Sequence, residues 1–297
     1  MSDYQPVFPV SAAHHDSLQY HFYFPSTFIA LRLFYTQSLR HYSMWCADLA
    51  TGSLQELINE QDGAQTKAVP LRVTGREGLS LKAADEEGRS HQQLTIDDNK
   101  ELHEISATLT DGRSIKISFG SGPIHSWMTG DPEEVVIHRP VMPCQLTTND
   151  GKTESGFGYS KRYSWASPPN HWCYRFVHAL VPADQQAWRE VYWTADAQFG
   201  DGKYDYFKRL TNAEGAQLEA AADSYHQHSR VVGLQMSGTE RVEVKLTREV
   251  CKWQADMRSG SMNSRMVQRL CECEVWVDGH LAHKGLALNE YCLGTLG

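Results

Sequence analysis

The chain has 297 residues, a net charge of −8 and a hydrophobic content of 41%, with a pI near 5.9. That length suits two domains of ordinary size or one large all-β domain. The acidic balance, with no basic stripe, excludes nucleic acid as a partner, because phosphate binding draws on clustered Lys and Arg.

The first residues, Met1 to Tyr4, have neither a basic lead nor an apolar run. Phe28 to Tyr35, the most apolar early stretch, is broken by Arg32 and is too short to cross a bilayer. The expectation is a soluble, cytoplasmic protein without membrane insertion. Seven scattered cysteines fit reduced thiols better than a disulfide framework.

Residues 1 to 17 read as an extended arm containing the pair His14-His15, whose side chains point opposite ways on an extended chain and so make a poor metal site. Leu18 to Phe24, Phe28 to Tyr35 and Leu39 to Cys46 are rich in aromatic and β-branched residues and predict strands. Shorter strands are predicted at Ala68 to Val73, Leu79 to Ala83 and Gln92 to Ile96, whereas Ser53 to Asn59 reads as mildly helical. Around Thr110-Asp111-Gly112 a hairpin is predicted. A left-handed Gly112 in a three-residue loop pairs Ala107 with Ile115 and Ile105 with Ile117, which keeps both apolar sets on one face.

The Pro-rich band from Gly120 to Pro143 predicts a crossing between two units, since Pro is excluded from central strands. Trp127 and His125 lie in it and are candidates to line a site.

From Gly156 to Phe207 runs the stretch richest in large rings, holding nearly half of the chain's 10 Phe, 8 Trp and 13 Tyr. Read as a strand, it sets Trp172, Tyr174, Phe176, His178 and Leu180 on one face, with Cys173, Arg175, Val177 and Ala179 on the other. A second strand sets Trp188, Glu190, Tyr192 and Thr194 on one side and Arg189, Val191, Trp193 and Ala195 on the other. A third covers Lys203 to Leu210. Such strands describe either the wall of a ligand cavity or an aromatic core with hydroxyls at its rim.

Beyond them, Gln217 to Ala222 reads as a helical turn, followed by strands at Gln227 to Met236, Thr239 to Val250, Met262 to Val277 and His280 to Cys292. Strict alternation turns Val242, Val244 and Leu246 inward, and Asp278-Gly279 marks another hairpin. Long helices are absent, so the fold class is all-β. No zinc-protease, P-loop, nucleophile-elbow or dinucleotide fingerprint is present. The pairs His226/His228 and Cys271/Cys273 each set two metal-type ligands on one strand face, with nothing to join the pairs.

Gly156-Phe157-Gly158-Tyr159 followed by Trp165, and Gly285-Leu286-Ala287-Leu288-Asn289-Glu290-Tyr291, resemble the glycine-aromatic strands of the lipocalin-like proteins that include carotenoid 1,2-hydratases and AttH-type proteins. The resemblance implies two lipocalin-like (calycin-type) antiparallel β-barrel or sandwich domains packed together, here residues 1–140 and 141–297, with an apolar ligand in a cavity. Hydratases of that family tend to carry an acid and a His just after the first motif. This chain reads Tyr159-Ser160-Lys161-Arg162-Tyr163 there instead.

The expected partner is therefore a small hydrophobic molecule, isoprenoid or polyketide-like, with no cofactor and no metal, and homo-oligomerisation is left open. The expected chemistry is hydration or dehydration, isomerisation or cyclisation. Glu190 is the candidate acid, with His178, Tyr192 and Asp196 as further catalytic candidates. Trp127, Tyr159, Trp165, Trp172, Tyr174, Phe176, Trp188, Trp193 and Tyr206 are the candidate binding surface. A hydrophobic-ligand carrier and a carbohydrate-binding or carbohydrate-active β sandwich are the alternatives; ion pairing of Glu190 with Arg175 favours the carrier.

Overall fold

Among the described residues of the computed structural model every element is a strand. Residues 15–36, 39–63, 79–84, 90–98, 102–108, 112–120, 125–128, 134–165, 171–182, 188–197, 208–211, 217–222, 231–236, 241–259 and 262–296 are described. The chain divides into two units, Met1–Thr51 with Gln55–Pro168, and Gly52–Leu54 with Pro169–Gly297.

The first unit is built from β1 (His15–Tyr23), β2 (Thr27–Thr36), β3 (Leu39–Asp48), β4 (Leu54–Gly63), β5 (Leu79–Ala84), β6 (Ser90–Asp98), β7 (Leu102–Thr108), β8 (Ser114–Gly120), β9 (His125–Met128), β10 (Glu134–Thr148) and β11 (Thr153–Trp165). They form one sheet in the order β4-β3-β2-β1-β11-β10-β8-β7-β6-β5, with β9 paired to β10. The core lies on one face, where Leu18, Tyr20 and Phe22 of β1 and Phe24 just after it join Ile29, Leu31, Met44, Ile105, Ile117, Phe119 and Met142.

The glycines of β11 shape this core. Phe22 stands opposite Gly158, and Gly158 opposite Met142. A Cβ on Gly158 would lie 2.7 Å from Phe22 Cδ1, and one on Gly156 would lie 2.2 Å from the Tyr23 carbonyl oxygen and 2.7 Å from Phe24 Cδ1. With no side chains there, rings from β1 reach past β11 and β10 to β8: Tyr20 and Phe22 lie 5.5 and 5.6 Å from Phe119, centroid to centroid. The glycine-aromatic motif is thus a bare floor under a ring cluster.

The hairpin between β7 and β8 has the expected register, Ile105 opposite Ile117 and Ala107 opposite Ile115, with Gly112 at φ 80. Elsewhere the structure departs from expectation. Ser53 to Asn59, expected helical, falls largely in β4, where cross-strand pairing overrides weak helical propensity. The Pro-rich band is not a crossing. His125–Met128 forms β9, and β10 runs through Pro140 and Pro143 in the middle of the sheet. The register against β11 slips between Arg139 and Met142, so Pro140 sits in the irregularity, where no ladder bond is required of it. Since β10 and β11 pair with β8 and β1, the units divide at Pro168–Pro169, later than the boundary expected at 140/141.

The second unit comprises β12 (His171–Pro182), β13 (Trp188–Ala197), β14 (Lys208–Thr211), β15 (Gln217–Ala222), β16 (Val231–Met236), β17 (Arg241–Ser259), β18 (Met262–Val277) and β19 (His280–Leu296). Each pairs antiparallel with the next, and β12 pairs with β19, closing a barrel of eight strands. Gln217–Ala222, expected as a helical turn, is β15, held between two neighbours. Val244 and Leu246 are buried as their alternation predicts. Asp278 and Gly279 both take positive φ, 49 and 79, the signature of a two-residue type I′ hairpin. His14, Ala68 to Val73, Tyr206 and the His226/His228 pair lie outside the described residues.

Candidate active site in the barrel wall

Alternation on the barrel separates its two faces. Lys252, Gln254, Asp256 and Arg258 of β17 and Asn263 and Arg265 of β18 are exposed. Arg265 donates to the Asp256 carboxylate from Nε at 2.7 Å and from Nη2 at 3.2 Å. The fork holds the Asp256 carboxyl below the usual range. The residues between them, Cys251, Trp253, Ala255 and Met257, and Ser264, Met266, Gln268 and Leu270, are buried and form the inner wall.

Register carries that wall across the next strands. Leu270, Gln268 and Met266 stand opposite Leu288, Glu290 and Cys292 of β19. Leu288 stands opposite His178 of β12. All are buried, and His178 and Glu290 are at 0% exposure. Gln268 Nε2 donates to Glu290 Oε2 at 2.5 Å. The wall therefore sets one carboxyl, one imidazole and one amide among Leu, Met and Cys side chains.

Tyr174, Phe176 and Trp172 stand opposite Cys292, Glu290 and Gly294. On β13, Tyr192, Glu190, Asp196 and Trp188 stand opposite His178, Leu180, Tyr174 and Pro182. These positions share the inner face by alternation. Trp193, opposite Val177, sits on the alternate face. Arg175 stands opposite Ala195, five steps along the ladder from Glu190, so the two are not cross-strand partners.

Trp127, Tyr159 and Trp165 belong to the first unit. Tyr159 is fully buried there and stacks on His21 at 4.9 Å between ring centroids. Cys271 and Cys273 are buried on one face of β18, and burial pushes the Cys273 thiol up to about 12.

Glu290 and Gln268 were missed in the sequence, though Glu290 lies inside the quoted Gly285–Tyr291 motif. The available signal was a polar residue at an apolar position of an alternating strand, Leu286-x-Leu288-x-Glu290 and Met266-x-Gln268-x-Leu270. Only the β18–β19 register brings the two together.

No family model matches the sequence, and no curated protein does. Solved structures do. CghA in complex with Sch210972 matches with a TM-score of 0.60 and 10% identity, over 95% of this chain and 88% of that one. Kievitone hydratase from Nectria haematococca matches with a TM-score of 0.55 and 10% identity, over 98% and 91%. An AttH protein from Nitrosomonas europaea gives 0.53 and 11%, over 97% and 96%. Over nearly its whole length, the chain has the all-β, lipocalin-like fold of these proteins.

Proposed function

We propose that the barrel of the second unit binds a small hydrophobic molecule, isoprenoid or polyketide-like, and catalyses acid–base chemistry on it without a cofactor. The reaction class is hydration or dehydration, isomerisation or cyclisation. One observation carries this reading: the Glu290 carboxyl, fully enclosed, is held by the Gln268 amide in a wall of Leu288, Met266 and Leu270. Enclosing a carboxyl costs several kcal/mol unless its neighbours compensate, and such groups concentrate where protons are moved.

In this reading Glu290 exchanges the proton, and His178, one step along on the next strand, receives or returns it. Glu190, Tyr192 and Asp196 at inner-face positions of β13 are the further candidates, with the ring positions Trp172, Tyr174, Phe176 and Trp188 flanking the substrate. Aromatic faces there would stabilise a developing cation. The fold is shared with a protein named as a hydratase, which favours an enzyme over a carrier.

Turnover of a panel of isoprenoid alkenes and hydroxylated polyketides by the wild type, Glu290→Gln and Glu190→Gln tests the assignment. Glu290→Gln should lower turnover about 10²- to 10⁴-fold with binding nearly unchanged. Unchanged turnover in Glu290→Gln removes that carboxyl from the mechanism.

A further inference from the structure

Strand β18 supplies a donor to a carboxyl on each of its neighbours. From the exposed face, Arg265 grips Asp256 of β17 with two N–H groups. Gln268, three residues on and therefore on the opposite face, donates from Nε2 to Oε2 of Glu290 on β19. The register sets Gln268 directly opposite Glu290. Met266 and Leu270 flank the amide along its strand, Leu288 and Cys292 flank the carboxyl along its own, and all four are buried.

The two donors do different things to their carboxyls. A guanidinium is always charged and favours the ionised form; the Arg265 hydrogen bonds, ahead of its charge, hold Asp256 below the ordinary carboxylate range. A primary amide brings an N–H and no net charge, so it serves a carboxylate oxygen or the carbonyl oxygen of the acid, and both protonation states stay open. Its bond to the ionised form is the stronger, because a charged acceptor makes a hydrogen bond roughly twice as strong. The N–H on Oε2 marks that oxygen as the carbonyl end of the acid and Oε1 as the end that bears the proton.

We propose that Gln268 is a positioning residue for the proton exchange assigned above to Glu290, an inference that rests on that reading: the amide fixes Oε1 as the oxygen that gives and takes the proton, and meets at Oε2 the negative charge left behind. When Glu290 acts as the acid, the Oε1–H bond breaks and a bond from that hydrogen to the substrate forms. The electron pair left on the carboxyl spreads over both oxygens. Oε2 thus gains charge against an N–H already in place, and no group has to reorient. On the return stroke the proton comes back to Oε1, and the amide again faces a carbonyl oxygen. An Arg at position 268 would hold the carboxyl ionised, as Arg265 holds Asp256, and stop it serving as an acid.

The test compares the full-length wild type with Gln268→Met, Gln268→Asn and Glu290→Gln, by infrared spectroscopy with ¹³C-labelled glutamate and by turnover of the isoprenoid and polyketide panel. The carboxyl band that disappears in Glu290→Gln belongs to Glu290. That band should shift in Gln268→Met, which keeps the length of the side chain and lacks the donor, and in Gln268→Asn, which draws the amide back by one carbon. In Gln268→Met, kcat should fall about 10²-fold with KM nearly unchanged. Placed in the Glu290→Gln background, Gln268→Met should lower turnover no further, whereas a merely structural defect would. An unmoved carboxyl band, or a full additional loss in that background, overturns the proposal. A wild type that turns over no member of the panel contradicts the proposed function and not this placement, which the band comparison supports or overturns by itself.

Discussion

Gln268 and Glu290 stand directly opposite each other on β18 and β19, and the amide of one donates to the carboxyl of the other inside the barrel wall. A hydrogen bond to a carboxyl enclosed among Leu and Met side chains satisfies part of its demand without water.

Breaking that pair on one side should cost more than removing it whole. Glu290→Leu deprives the buried Gln268 donor of its carboxyl and should lower stability by about 1–3 kcal/mol. Adding Gln268→Leu should return much of it, because an apolar pair suits an apolar wall. Urea unfolding of the two single variants and the double variant gives the coupling.

At the glycine floor, Gly156→Ala should be the costlier of two substitutions. Its new methyl meets the Tyr23 carbonyl oxygen at 2.2 Å, a backbone atom that cannot turn aside, whereas the Gly158 methyl meets the edge of the Phe22 ring. Overpacking of this kind costs about 1–3 kcal/mol. Phe22→Leu should rescue Gly158→Ala in part and leave Gly156→Ala unrescued, as read by thermal unfolding.

His41 gives the first unit a pH dependence of definite sign. Burial sets its folded-state value, about 4, below the ordinary 6.5, so the unfolded chain takes up the proton first as pH falls. The stabilisation is complete above pH 6.5 and is lost as pH drops towards 4, about 3 kcal/mol at the limit. His41→Gln should flatten that part of the stability–pH curve.

Thiol labelling should rank the described cysteines. Cys144, Cys251, Cys271, Cys273 and Cys292 are buried, while Cys46 is half-buried. Burial raises Cys144, Cys273 and Cys46 above the ordinary thiol range. Iodoacetamide followed by peptide mapping should find Cys46 modified first among the six, and the other five only on unfolding.

Much of this architecture was legible because period-two alternation is a local property. Val244 and Leu246, the Ile105–Ile117 register and the Asp278-Gly279 turn all follow from residues close in sequence. What was not legible depended on partners far along the chain. Gln217–Ala222 and Ser53 to Asn59 look helical alone and become strands because neighbours claim their backbone bonds. Pro140 looked like a break until the slipped β10–β11 register gave it a place without a required N–H. His178 announced itself among aromatics, whereas Glu290 gained its meaning only when β19 was set against Gln268, and His41 only when β4 brought Asn59 to its ring.

Native mass spectrometry of the protein as purified from cells, followed by solvent extraction of whatever is bound, tests the central claim most directly. The account predicts a stoichiometric adduct that extracts as a small apolar molecule, or, from an empty protein, saturable binding of isoprenoids or aromatic polyketides on soaking. An empty protein that ignores both and binds oligosaccharides would contradict it.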